Sequence, residues 1–108
     1  MVIVLVCAVG MSTSLLMNRM EAYAEEGVEI YAYPIEDLEK KLNHADVVLV
    51  GPQIRYKFDK IKRMCEQKDI PAALINLSDY GKMDGANVMK QAVELYGKGS
   101  ADSIQRPM

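Results

Sequence analysis

The stretch Val2–Leu16, VIVLVCAVGMSTSLL, decides the fold. Its first five residues are continuously apolar and mostly β-branched. Such a run suits a strand buried on both faces, as in a parallel sheet, and not the alternating pattern of a half-exposed strand. After Cys7 the chain turns small and then hydroxyl-rich, through Ala8, Val9, Gly10, Met11, Ser12, Thr13 and Ser14. Apolar residues then return at helical spacing: Leu16, Met20 and Tyr23, with Gly27 on the same face. Ser12 or Thr13 can cap the start and Gly27 can stop the run, which predicts a helix over residues 12–26.

The same alternation continues outward. Residues 28–33 (VEIYAY) read as a second strand, ended by Pro34, and Ile35, Leu38 and Leu42 mark a short helix. Residues 46–50 (DVVLV) form a third buried strand before Gly51 and Pro52. A third helix is predicted over 53–68, with Ile54, Phe58, Ile61 and Cys65 inward. Pro71 leads into a fourth strand over 72–76, the loop LSDYGKMDG follows, and a last helix near 84–96 turns Val88, Ala92 and Leu95 inward. Strands alternating with helices predict the α/β class: a single three-layer domain with a four-stranded parallel sheet in the order 2-1-3-4 and helices on both faces. Each crossover should be right-handed. From Gly97 the chain (GKGSADSIQRPM) is small, polar and aperiodic, so the expected division is a domain over 1–97 and a flexible tail over 98–108.

Length and composition agree with one globular domain. The chain has 108 residues, half of them apolar and 26% charged, enough to bury a core without metals or disulfides. The net charge of −2 and the lack of a basic stripe interleaved with aromatics exclude a nucleic-acid partner. The two cysteines, Cys7 and Cys65, form no CxxC pair, zinc ribbon or disulfide framework. His44 is the sole histidine, so no metal site and no cofactor are expected. Unpaired cysteines point to a reducing compartment. The run Val2–Val6 is too short for a signal peptide core, and nothing approaches the ~20 apolar residues of a membrane span. The expectation is a cytoplasmic protein that reaches a membrane only by docking on a membrane protein.

The chemistry is expected at the carboxyl end of the first strand, beside the switch in strand order, where open α/β sheets bind their ligands. Cys7 stands there. A loop of backbone N–H groups and a helix N-terminus would favour an anion at its sulfur, Gly10 allows a tight path, and Ser12, Thr13 and Ser14 add hydroxyl donors. The same field favours thiolate over thiol and makes Cys7 a nucleophile. A plain buried strand-end cysteine is the alternative, against which the hydroxyl-rich loop argues. Cys65, on the inward stripe of a helix, reads as core.

A phosphate-binding cysteine loop on this fold also brings the low-molecular-weight tyrosine phosphatases to mind. They carry C-x5-R-S, whereas this chain reads C-x5-T-S, with Thr13 in place of the arginine clamp. A phosphatase must stabilise hydrolysis of its phosphocysteine; a carrier should hold the phosphate without hastening its loss to water. Asp79 lies where such an enzyme keeps a general acid, and reads more readily as a turn or helix-capping residue.

Three segments, in order, carry a family resemblance: CAVGMSTSLL from Cys7, ADVVLVGPQIRY from Ala45 to Tyr56, and DYGKMDG from Asp79 to Gly85. The chain resembles the enzyme IIB components of bacterial sugar phosphotransferase systems, of the lactose/cellobiose (cellobiose/chitobiose-like) type. The resemblance implies a relay. A phosphohistidine on the partner enzyme IIA donates to the cysteine, which donates to a sugar held by the membrane enzyme IIC, cellobiose, chitobiose or a related β-glucoside fitting a separate small chain best. It implies Cys7 as the phosphorylated residue, the loop Ala8–Ser14 as the phosphate cradle, and Gly51, Pro52, Gln53, Tyr80 and Met83 as flanking or partner-contacting residues. Val9 and Lys82 depart from the usual pattern. The rivals are a cysteine phosphatase with Asp79 as acid and a non-catalytic anion-binding module.

Other residues are ambiguous or bland. Met11 is either a soft contact for a partner or folds back onto the core. Arg55, Lys57, Lys60 and Arg63 form a solvated helix face or an electrostatic greeting for phosphorylated partners. His44 lies at the amino end of its strand, opposite the site.

Overall fold

A computed structural model describes residues 1–7 and 10–105, with side chains described over 1–7 and 14–97. The strands are β1 (Val2–Cys7), β2 (Glu29–Pro34), β3 (Val47–Val50) and β4 (Ala72–Leu74), and the sheet order is β2-β1-β3-β4 with every pair parallel. This is the 2-1-3-4 order expected.

The continuous apolar run of β1 is divided by the period of a strand. Ile3 and Leu5 enter one core layer with Leu16, Met20, Val88 and Ala92, residues of the helices α1 (Gly10–Glu21) and α5 (Gly85–Gln105). Val4 and Val6 enter the opposite layer with Leu38, Leu42, Ile54, Ile61 and Cys65, contributed by α2 (Leu38–Lys41), α3 (Phe58–Glu66) and the 3-10 turns beside them. The strand β3 repeats the division, Val47 and Leu49 to one layer and Val48 and Val50 to the other. Each buried side chain of this kind contributes roughly 1.5–3 kcal/mol, so a strand apolar on both faces anchors two cores at once. At its amino end, β1 is pinned by the Val2 N–H donating to Asp46 Oδ2 at 2.7 Å.

Several elements differ from the sequence expectations. The first helix starts at Gly10, so Ser12 and Thr13 fall inside its first turn instead of capping it. It ends at Glu21, and Tyr23 is 61% exposed instead of inward. Glu25 and Glu26 follow, and acidic residues at a helix carboxyl end oppose the dipole; the chain leaves through turns and reaches β2 by way of Gly27 at φ +89°, a conformation glycine adopts freely. The third helix is two pieces. A 3-10 segment, Pro52–Lys57, precedes α3, with Ile54 non-helical at φ −117°, ψ 28°. Strand β4 is three residues long. The stretch read as an open loop holds a short helix, α4 (Leu77–Gly81), capped by the Asn76 side chain, which accepts from the Asp79 N–H. The last helix runs to Gln105, past residue 96. The tail expected to be flexible, 98–108, has its side chains outside the described residues, and 106–108 lies outside them altogether.

One contact fixes how α5 meets α1. A Cβ at Gly85 would stand 2.4 Å from the carbonyl carbon and oxygen of Arg19 and 2.7 Å from Met20 N. Only glycine allows the start of α5 to touch the backbone of α1 there.

Candidate functional site

Cys7 is the last residue of the strand between β2 and β3, with Pro34 as its register partner on one side. On the other, the Gly51 N–H donates to Val6 O at 2.9 Å, which extends the pairing of β1 and β3 beyond the end of β3. Cys7 therefore stands at the carboxyl edge where the order reverses from β1–β2 to β1–β3, the crevice in which open α/β sheets bind ligands. The first helix begins three residues later, at Gly10, so its N-terminal N–H groups and positive dipole end lie close along the chain. Ala8 and Val9, and the side chains of Gly10, Met11, Ser12 and Thr13, lie outside the described residues. Ser14 is described: it is exposed, the fifth residue of α1.

The loop after β3 is brought directly to the cysteine. The Cβ position of Gly51 is 3.9 Å from Cys7 Cβ. Pro52 and Ile54 are buried and Gln53 between them is exposed. The Ile54 N–H donates to Gly51 O at 3.1 Å, and Arg55 Nη1 donates to Pro52 O at 3.3 Å. Two buried anchors and a guanidinium tie thus hold this loop beside the strand end.

Tyr80 is 5% exposed and packs in the core layer with Leu16, Met20, Val88 and Met89. Met83 adopts φ +52° and lines a groove with Arg19, Ala22 and Tyr23, at the carboxyl end of α1 and just beyond it. Arg19 stands roughly 13 Å down the helix from Gly10 at 1.5 Å per residue.

Asp79 is engaged as a structural carboxylate: Asn87 Nδ2 donates to its Oδ1 at 3.2 Å, tying α4 to α5. The carboxylate thus joins two helices, while the cap of α4 is the Asn76 side chain. His44 is exposed near the amino ends of the strands, in a groove with Val2, Glu29, Tyr31, Tyr33 and Lys41, away from Cys7. Arg55, Lys57, Lys60 and Arg63 are exposed, with Lys57 Nζ over the Tyr56 ring at 5.9 Å. Cys65 is fully buried, and burial, then the neighbouring Glu66 charge, pushes its thiol up to about 11. Among the described residues no group of three or more His, Cys, Asp or Glu could hold a metal ion, and no helix is long and apolar enough to cross a membrane.

Gln91 was not singled out from the sequence, yet it holds the end of β4. Its Nε2 donates to Leu74 O at 2.7 Å and its Oε1 accepts from the Asn76 N–H at 3.5 Å. A polar residue on a helix gives no local sign of such a long-range tie.

The family model for the lactose/cellobiose-specific IIB subunit of the phosphotransferase system matches residues 2–91. The chain is 35% identical to the oligo-beta-mannoside-specific EIIB component of Bacillus subtilis over 96 residues, covering 86% of this chain and 93% of the relative. It is 38% identical to the galactose-specific EIIB component of Lactococcus lactis over 102 residues, covering 87% and 94%. The solution structure of the cellobiose-specific phosphotransferase IIB component from Borrelia burgdorferi superposes with a TM-score of 0.77 at 36% identity, covering 92% of this chain and 94% of that one. Sequence, sheet order and the crevice at Cys7 lead to one conclusion: the chain belongs to the lactose/cellobiose-specific IIB subunits of the sugar phosphotransferase system.

Proposed function

We propose that this IIB chain is a phosphocarrier that holds a phosphoryl group covalently on Cys7. The observation that carries this is the place of Cys7, ending the central strand at the switch in strand order with a helix N-terminus three residues on. The Cys7 thiolate attacks the phosphorus of a phosphohistidine on enzyme IIA. The S–P bond forms as the N–P bond breaks, and the electron pair stays on the departing imidazole nitrogen. In the second step a hydroxyl of a sugar bound by the membrane enzyme IIC attacks the same phosphorus, the S–P bond breaks and the thiolate returns. Backbone N–H groups of the segment Ala8–Ser14, with the dipole of α1, hold the phosphate charge through both steps. No arginine stands at position 13 to hasten hydrolysis, so the intermediate waits for its acceptor.

The protein works in the cytoplasm, meeting the membrane through IIC. The relatives are specific for different sugars by name, in keeping with recognition by IIC. For this chain a β-glucoside disaccharide such as cellobiose or chitobiose is the proposed acceptor.

The test is intact-mass spectrometry after incubation with phosphoenolpyruvate, the general phosphotransfer proteins and the matching IIA. One added phosphate is expected, absent from Cys7→Ser and present in Cys65→Ser. An adduct retained in Cys7→Ser, or none in the native protein beside a demonstrably phosphorylated matching IIA, overturns the assignment.

A further inference from the structure

Glycine at position 51 is not required by its backbone. Its φ of −65° and ψ of 142° are open to any residue. What the missing side chain leaves room for is more informative. A Cβ there would meet Gln53 Oε1 at 3.0 Å, Val6 O at 3.4 Å and Cys7 Cβ at 3.9 Å. The Gln53 amide therefore lies across the bare face of Gly51, and the other side of that same space is the wall of Cys7. Gln53 Oε1 and Cys7 Cβ thus lie 3.0 Å and 3.9 Å from one empty point, the place where a side chain at position 51 would begin. The loop that carries it is rigid, since Pro52 and Ile54 are buried on either side of the exposed Gln53 and Arg55 is tied to Pro52 O. Exposure alone would make Gln53 one more surface residue. Exposure on a doubly anchored loop, folded back over a glycine toward the nucleophile, gives it a destination.

We infer that a half-turn of the Gln53 amide, putting Nε2 where Oε1 now faces, lets it donate a hydrogen bond to an oxygen of the phosphoryl group on Cys7, and that Gly51 lacks a side chain so that the amide can reach it. This rests on the phosphocysteine reading above and adds to it a side-chain donor from the β3 loop, opposite the backbone donors of α1. An amide suits the task. It donates to phosphate without bringing the full positive charge that an arginine clamp would place there. The bond persists while phosphorus passes from imidazole to sulfur and from sulfur to the sugar hydroxyl, because it is made to a non-transferring oxygen.

The test compares native protein, Gln53→Ala, Gln53→Glu and Gly51→Ala, each charged by phosphorylated IIA. Two readouts are followed: the single-turnover rate of charging, and the phosphorus NMR shift of the phosphocysteine against pH. Losing one hydrogen bond to a charged group should slow charging by roughly ten- to a hundredfold in Gln53→Ala. The midpoint of the phosphate titration should move up, since a donor that favours the dianion is gone. Gln53→Glu should be slower still, its carboxylate facing the phosphate. Gly51→Ala should fold, because its tightest new contact is the far end of a flexible side chain, and should reproduce the Gln53→Ala shift by displacing the amide. Charged Gln53→Ala with native rate and native midpoint overturns the inference and leaves the phosphocarrier standing. Native protein that takes no phosphate from charged IIA removes the phosphocysteine and this inference together.

Discussion

Cys7 and Cys65 are almost equally hidden, at 2% and 0% exposure, yet they sit in opposite kinds of surroundings. Cys65 faces inward from the last turn of α3, packed with Ile61 and Ile70 in the layer under β1 and β3. Its backbone N–H groups are committed to the helix, and burial pushes its thiol up to about 11. Cys7 ends a strand, beside a glycine loop on one side and ahead of a helix start on the other. The difference teaches that burial does not sort the proposed nucleophile from a packing residue. On the proposed reading, what sorts them is the backbone around each: the last turn of a helix has its N–H groups bonded within the helix, whereas a helix begins with N–H groups that find no partner inside it.

The hardest test of this contrast is exchange of either sulfur for oxygen. Cys7→Ser should lose phosphoryl transfer entirely, whereas Cys65→Ser should transfer at the native rate, both read in the same charging assay. Transfer lost in a folded Cys65→Ser would break the comparison. The order should invert for stability. A hydroxyl in the sealed layer around Cys65 should cost about 1–3 kcal/mol in urea unfolding, and Cys7→Ser, at the edge of the sheet, should cost less.

The pH dependence of stability sharpens the same contrast. The Cys65 thiol is raised from 9.0 to about 11 in the folded protein, so the unfolded chain loses this proton first. The contribution is complete below about 9 and disappears as pH climbs through about 11. Urea midpoints should fall across that window in the native protein and fall less in Cys65→Ala. Native-state alkylation of Cys65 should likewise stay slow until that window is reached.

The smallest expected effect is at the far end of β1. Asp46→Ala removes the carboxylate that accepts from Val2 N–H and should cost about 1 kcal/mol while leaving charging of Cys7 unchanged. A loss of charging there would mean that the two ends of β1 are coupled.

Much of this contrast was legible in the residues, for physical reasons. An uninterrupted run such as VIVLV can satisfy only a strand covered on both sides, so sheet class and central position follow from it. Cys65 falls on the stripe of Ile54, Phe58 and Ile61, and three of these four residues are fully or almost fully buried. What was not legible depended on long-range contacts. Tyr23 has the right spacing for an inward residue, but the helix stops before it. Tyr80 and Met83 share one short segment with Asp79, and nothing local shows that α4 folds Tyr80 inward while the chain carries Met83 toward Arg19. Likewise the break at Ile54 is invisible, because a proline at a helix start is compatible with either a continuous helix or a short 3-10 segment. Within the site, the position of Cys7 followed from the order of elements. The fold of Gln53 over Gly51 did not, since it rests on side-chain packing across a loop.

The two-sided core of β1 has a kinetic consequence. Amides in a strand bonded to partners on both sides and sealed above and below should exchange with deuterium only when the whole domain opens. Ile3 to Val6 lie in such a strand, and Cys7 is its next residue. The sulfur proposed to carry the phosphoryl group is thus attached to the slowest-opening part of the chain, unlike nucleophiles carried on mobile lids. In the proposed cycle, the thiolate would come back to the same place between one charging and the next without any search, and the exchange of partners around it would fall to the surfaces that meet it.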